Sequence, residues 1–274
     1  MIRLAIRVPG ESAELVLAEL AELSPGGVEE CDGGDGFVEY AIYGAEGEIP
    51  TLPDLDAAVG DVPIEVATSV VEDGWETRWR EFHCAATVEA GGKSLRVSPP
   101  WDVAGGAAEV VIDPGRAFGT GAHATTRLCL GFLLQEPPAG SCVDLGSGSG
   151  VLAIAAARLG WSPVLAVDHD PASVEATLSN ARANGTELEA RRFDLLRGGP
   201  APSGDLVVAN LLRPLLLSLA RGGFAGPVPQ VLVASGLLAR EADEVSDALC
   251  EGIGLRETGR CVEGEWAALR LALS

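Results

Sequence analysis

Hydrophobic and polar positions along this chain change period several times, and each change marks an element. Leu4-Ala-Ile-Arg-Val8 reads as a strand that Pro9-Gly10 turns. From Glu11 to Leu23 the period lengthens to that of a helix. Val16, Leu17, Leu20 and Leu23 share one face and Glu11, Glu14, Glu19 and Glu22 the other, with Leu15 the exception. Gly26-Gly27 ends it. Val28–Cys31 and Phe37–Tyr43 read as a hairpin across Gly33-Gly34-Asp35-Gly36, Leu52–Val59 as a short helix and Ile64–Val71 as a further strand. The order βαββαβ predicts a small ferredoxin-like α+β sandwich, a fold that names no function by itself.

Residues Gly74 to Pro100 read as a connector, in which Trp75, Trp79 and Phe82 form a packing stripe at helical spacing. Beyond the break at Ser98-Pro99-Pro100-Trp101, short apolar runs alternate with helical stretches. The runs are Cys142–Leu145, Val164–Val167, Leu206–Ala209 and Val231–Ala234. Lacking a period of two, they fit strands buried on both faces of a parallel sheet. After a helix over Ala239–Cys250, the segments Arg256–Val262 and Trp266–Leu271 flank Glu263-Gly264-Glu265 and predict a C-terminal antiparallel hairpin. The expected organisation is a ferredoxin-like domain over residues 1–68, a connector over 69–102 and a Rossmann-like α/β domain over 103–274.

Composition narrows the partners. The formal net charge is −21, which argues against nucleic acid because phosphate binding needs a basic surface. Residues 1–72 hold sixteen Asp or Glu against Arg3 and Arg7 alone, so the first domain has a field suited to a basic protein. Acidic surface that merely serves solubility is the alternative. No stretch approaches the ~18 apolar residues of a membrane helix, and nothing reads as a signal peptide. Six widely spaced cysteines fit reduced core thiols of a cytoplasmic protein, and three histidines without a Cys/His cluster give no expectation of a metal site.

Chemistry concentrates in Val143-Asp144-Leu145-Gly146-Ser147-Gly148-Ser149-Gly150, where a strand runs into a glycine loop and an Ala-rich helix follows. Glycines are needed where the backbone turns sharply and a ligand approaches the main chain. Gly148-x-Gly150-x-x-Ala153 also resembles the tail of a dinucleotide fingerprint, so the loop alone leaves NAD open. Asp144 shifts the balance: a carboxylate there sits badly beside a pyrophosphate and suits the cationic S-adenosylmethionine. Asp168 ends the next strand, 22 residues past Gly146, placed for ribose hydroxyls. Asp170 before Pro171 reads as a helix N-cap. Asp194 follows the third strand as a candidate for the adenine amino group, or as a solvated turn. Asn210 ends the fourth strand, and its amide carbonyl could accept from an amine and aim it at a methyl group.

A second glycine-rich loop, Asp113-Pro-Gly-Arg-Ala-Phe-Gly-Thr-Gly-Ala-His123-Ala-Thr125-Thr126, enters a helix over Leu128–Leu134. There Thr125 or Thr126 would cap the helix or meet a ligand carboxylate, and His123 is either structural or a general base. These segments, with Asp168-His-Asp170-Pro, Asn210-Leu-Leu, Trp75-Glu-Thr-Arg-Trp79 and Glu263-Gly-Glu-Trp266, resemble the bacterial family of ribosomal protein L11 methyltransferases. The resemblance covers most of the chain. It implies a class I S-adenosylmethionine-dependent methyltransferase that modifies lysine side chains and the N-terminal α-amine of a basic ribosomal protein. By it Thr126, Gly146, Asp168 and Asn210 would hold the donor, beside Asp144, Gly148, Gly150 and Asp194 from the residue reading, with Asn210 the candidate catalytic residue. It also implies that the acidic first domain recognises the substrate. Ala124 stands where the family often has Pro, and Arg213 where it tends to have a small residue. The rivals are a small-molecule methyltransferase, which shares the donor site, and an NAD-dependent oxidoreductase, for which no hydride-transfer partner stands out.

Overall fold

Two hydrophobic patterns separated by a polar, tryptophan-bearing stretch give one core in the first part of the described chain and, in the second, a core on each face of the main sheet. The computed structural model describes residues 2–13, 16, 17, 20, 28–32, 36–44, 62–70, 85–106, 108–114 and 123–273. The chain divides into two compact units, Met1–Glu81 and Phe82–Ser274.

In the first unit β1 (Ile2–Pro9), β2 (Glu29–Asp32), β3 (Phe37–Gly44) and β4 (Glu65–Val70) form an antiparallel sheet in the order β2-β3-β1-β4. Alternation places Leu4, Ile6, Val8, Tyr40 and Ile42 on one face, buried with Ala13, Val16 and Leu20. The Tyr40 hydroxyl satisfies itself by donating to the Ala13 carbonyl at 2.9 Å. On the opposite face Arg3 pairs with Glu39 at 2.6 Å, while Arg7 pairs with Glu65 at 3.3 Å and stacks on Phe37. The helix expected at Leu52–Val59 and the stripe Trp75, Trp79 and Phe82 lie outside the described residues.

The second unit begins with a sheet where the sequence suggested a connector. β5 (Ala86–Ala90) and β6 (Lys93–Ser98) form a hairpin, and β7 (Glu109–Val111) adds parallel to β6. Val88, Leu95, Val97, Val110 and Ile112 join the core beneath α1 (Ala124–Gln135). The pairing of β6 with β7 joins segments separated by an irregular loop, which is why local periodicity did not reveal it. Glu109 ties that loop down, accepting from the backbone N–H groups of Ala104 (3.1 Å) and Gly105 (2.7 Å), from Ser98 Oγ (2.7 Å) and from Arg96.

The main sheet comprises β8 (Cys142–Leu145), β9 (Val164–Asp168), β10 (Glu189–Arg192), β11 (Leu206–Asn210), β12 (Val231–Leu238), β13 (Arg256–Glu263) and β14 (Trp266–Ala272). Its order is β10-β9-β8-β11-β12-β14-β13. The first five in that order are parallel and β14 runs antiparallel to both neighbours, so the expected C-terminal hairpin forms. Helices α2 (Val151–Leu159), α3 (Pro171–Ala183), α4 (Arg213–Gly222) and α5 (Ala242–Ile253) complete the Rossmann-like architecture. Successive residues of each central strand enter opposite cores. Leu206 and Val208 pack in the core containing α1 and α2, while Val207 and Ala209 pack with Leu216, Leu219, Val245 and Leu249. This double burial is the reason the strands read as unbroken apolar runs. Among the described residues no helix is long and apolar enough to cross a membrane.

Candidate functional site

The chain order reverses between β8 and β11, which opens a crevice beyond their carboxyl ends, where ligands bind in open α/β sheets. Leu145 pairs with Val167 on one side and Ala209 on the other. The next residue along each strand is therefore Gly146, Asp168 or Asn210, all at the rim. These residues, with Thr126, Gly148 and Asp194, line a cavity of about 820 Å3.

The glycine loop is built on backbone geometry. Gly146 (φ +77°) turns the chain over β9, with the N–H groups of Gly146 and Ser147 donating to the Val167 carbonyl at 2.8 and 3.1 Å. Its N–H groups also meet a carboxylate: Gly148 donates to Asp168 Oδ2 at 3.0 Å, while Asp168 Oδ1 accepts from Asp170 N at 3.0 Å. Asp168 is thus held by two main-chain donors and keeps lone pairs for hydroxyls. Helix α3 supports the loop from behind. The Thr177 hydroxyl lies 3.0 Å from Ser147 Oγ and donates to the Gly148 carbonyl at 3.1 Å, and Asn180 Nδ2 donates to the Ser149 carbonyl at 2.9 Å. Sequence reasoning missed both residues. Their spacing of three on a helix was the available signal, but it marks a buried face without saying what that face touches.

Two expected ligand residues lie elsewhere. Asp144 is two residues short of the rim, some 6–7 Å deeper at the rise of a strand, and is absent from the cavity wall. It is 1% exposed, and its Oδ2 accepts from the first-turn N–H of Ala153 at 3.1 Å. Its Oδ1 is buried without a hydrogen-bond partner. Burial pushes the carboxyl up to about 7, against the pull of the Ala153 N–H and with a contribution from Asp168. Asp144 therefore braces the start of α2 beneath the loop. Gly150 (φ +84°), the N-cap of α2, is likewise outside the wall, and a Cβ there would lie 2.9 Å from Thr177 Cγ2. Its close approach is to a helix, and the loop glycines that line the cavity are Gly146 and Gly148.

The second loop is described at Asp113 and Pro114 and again from His123 onward; residues 115–122 lie outside the described residues. Neither threonine caps α1. His123 is the N-cap, its Nδ1 accepting from Thr125 N at 3.3 Å and pairing with Thr125 Oγ1 at 2.8 Å, and its ring meets Trp266 edge-on. Burial and the nearby Arg127 lower its pKa, against Glu263, which favours the acceptor form that the cap needs. His123 does not line the cavity, whereas Thr126, in the first turn of α1, does. The Asn210 amide donates to Thr126 Oγ1 at 3.5 Å, which joins α1 to the sheet rim. Asp194 lines the wall beside Phe193 and Leu195, with Oδ1 turned to the Leu196 N–H at 2.9 Å. Asp170 caps α3 as expected, accepting from Ala172 N at 2.9 Å.

S-adenosylmethionine fits this cavity. Its volume is that of a small-molecule site. A glycine backbone cradle at Gly146 and Gly148, the Asp168 carboxylate with room for ribose hydroxyls, apolar walls at Val167, Phe193 and Leu195, and a second wall carboxylate at Asp194 suit that cationic nucleoside donor. Among the described residues there is no cluster of side chains able to hold a metal.

The family model described as ribosomal protein L11 methyltransferase matches residues 49–273. A protein named ribosomal protein L11 methyltransferase from Pelotomaculum thermopropionicum is 32% identical over 310 residues, spanning 99% of this chain and 98% of its own. One of the same name from Alteromonas mediterranea is 39% identical over 206 residues, 70% of this chain and 65% of its own. The crystal structure of ribosomal protein L11 methylase from Lactobacillus delbrueckii subsp. bulgaricus is similar with a TM-score of 0.59 at 27% identity, covering 69% of this chain and 98% of that one. The chain therefore belongs to the ribosomal protein L11 methyltransferase family and is an S-adenosylmethionine-dependent methyltransferase.

Proposed function

We propose that this chain transfers methyl groups to amino groups of ribosomal protein L11, namely lysine side chains and the N-terminal α-amine. The carrying observation is Asn210. It stands on the same rung as Gly146 and Asp168, faces the donor cavity, and has its amide nitrogen directed to Thr126. That bond leaves the Asn210 carbonyl oxygen to accept from the incoming amine and turn its lone pair toward the donor. Bound S-adenosylmethionine supplies an electrophilic methyl on a sulfonium. The chain then contributes position more than covalent chemistry: Asp168 and the glycine loop hold the nucleoside, and Asn210 with Thr126 holds the acceptor.

A lysine amine has an unperturbed pKa near ~10.4, so the site must admit the neutral form. The apolar residues at the rim, Leu211, Leu212 and Leu215, disfavour a charged amine by desolvation, and the released proton passes to water. His123 is committed to capping α1 and is not assigned as a base. The acidic excess of the first unit suits a basic ribosomal protein as its ligand, and the free thiols at Cys129, Cys142, Cys250 and Cys261 suit a cytoplasmic protein.

Incubation with labelled S-adenosylmethionine and ribosomal protein L11 should label that protein. Asn210→Ala should depress turnover more than donor affinity, because it acts on the acceptor. Labelling of other proteins but not of L11 would refute the substrate, and full turnover by Asn210→Ala would refute the role of that residue.

A further inference from the structure

Leu211 lies between two glycines from different elements. On one side is Gly236 (φ +84°), at the irregularity where β12 slips against β14 between Ser235 and Leu237. A Cβ on Gly236 would fall 2.5–2.8 Å from the backbone O, C and N of Leu211. That main chain is also fastened there, since the Leu211 N–H donates to the Ser235 carbonyl at 2.9 Å. On the other side is Gly146 of the donor loop, where a Cβ would collide with Leu211 Cδ2. Leu211 is 7% exposed and lines the cavity with its neighbours Asn210 and Leu212.

We infer that Gly236 and Leu211 form a clamp that sets the spacing between the donor loop and Asn210. Gly236 is a positioning residue: without a side chain it lets the Asn210–Leu212 segment dock on β12. Leu211 then spans from that dock to Gly146, so the donor cradle and the acceptor residue are gauged from one side chain. The bulge has a direct use here, because a regular β12 with a Cβ at this point would push Leu211 into the glycine loop. The inference rests on the reading of Asn210 as the residue that aims the amine.

The test compares Gly236→Ala, Leu211→Ala and the double variant in the full-length protein. S-adenosylhomocysteine affinity is measured by calorimetry, and kcat and KM for methylation of ribosomal protein L11 by initial rates. Gly236→Ala should weaken S-adenosylhomocysteine about fivefold or more and lower kcat by about tenfold or more, since small misplacements cost large factors in rate. In the double variant the side chain that transmits the push is gone. Affinity should then return to within about twofold of Leu211→Ala alone, while kcat stays low. A merely structural role for Gly236 predicts the opposite, a double variant that binds worse than either single one, and that result would overturn the clamp. So would Gly236→Ala with unchanged affinity and kcat.

If Gly236→Ala does not fold, Leu211→Val carries the test, because it shortens the arm toward Gly146 without touching β12. It should lower kcat about fivefold with KM for the acceptor little changed, and unchanged kcat would overturn the proposal. Asn210→Ala, run alongside, separates the two readings. Full turnover there withdraws the role of Asn210, whereas the affinity rescue does not involve the acceptor and still decides the clamp.

Discussion

Asp144 and Asp168 lie on neighbouring strands with the same side chain, yet two residues of depth give them different work. Asp168 reaches the cavity, so Asp168→Ala should weaken S-adenosylmethionine by ~1.5–3 kcal/mol, the range for hydrogen bonds to a charged group. Calorimetry showing full affinity in a folded variant would remove it from the site. Asp144 is buried away from the ligand, and its signature is in stability. Its folded-state value of about 7 lies above its ordinary 3.8, so protonation favours the fold. The stability it contributes is complete below about 3.8 and is lost as pH rises through about 7, on the order of a few kcal/mol. Urea unfolding from pH 4 to pH 8 should show this decline, and Asp144→Asn should flatten it. Equal slopes for both proteins would be inconsistent with a buried, protonatable Asp144. Glu109 has the opposite sign: burial pushes it up, but Ser98, the Ala104 and Gly105 amides and Arg96 together hold it down at about 2. Its contribution is present above about 4.5 and fades as pH falls toward 2.

At the scale of elements, the parallel strands β8, β9, β11 and β12 were legible because burial on both faces leaves an apolar run, whereas the polar edge strand β10 leaves none. Their ends were less legible. The run Val231–Ala234 continues through Gly236 to Leu238, since pairing with β14 on both sides of the irregularity carries the strand past a residue that locally reads as a break. Close helix approaches were also invisible. In α5 a Cβ on Gly252 would overlap the Ala220 carbonyl oxygen of α4 and lie 2.9 Å from its carbon. Gly252→Ala should therefore destabilise the protein by ~1–3 kcal/mol despite the better helix propensity of alanine, because backbone on the facing helix has to move. A thermal melt showing equal or greater stability would mean that the two helices separate at little cost.

For the whole molecule, the two units own separate cores. Among the described residues, the hydrophobic cluster of the first unit uses none later than Val66, and those of the second use none before Val88. A fragment spanning Phe82–Ser274 should accordingly fold and bind S-adenosylhomocysteine with affinity close to that of the full chain. It should lose most methylation of intact ribosomal protein L11, because the acidic unit proposed to capture that basic protein is gone. Added salt should weaken capture by the full chain, since exposed charges are screened over ~10 Å at about 0.1 M. A fragment that binds donor and methylates L11 at the full-length rate would refute this division of labour.

Much of this protein is written in its order of residues. Periodicity specified the apolar parallel strands β8, β9, β11 and β12 and the C-terminal hairpin, though not β5, β6 or β7, and glycines, Asp168 and Asn210 at strand ends marked the donor crevice, because these signals are local and depend on residues a few positions apart. Tertiary structure decided what depends on register and on approach between distant segments. Strand pairing placed Asp144 below the rim and Asp168 on it. Packing turned Gly150 toward Thr177, made His123 the cap of α1, and brought β7 beside β6. The meeting of Gly236, Leu211 and Gly146 joins three points spread over ninety residues of chain, and no local pattern encodes a contact whose partners are chosen only when the sheet closes.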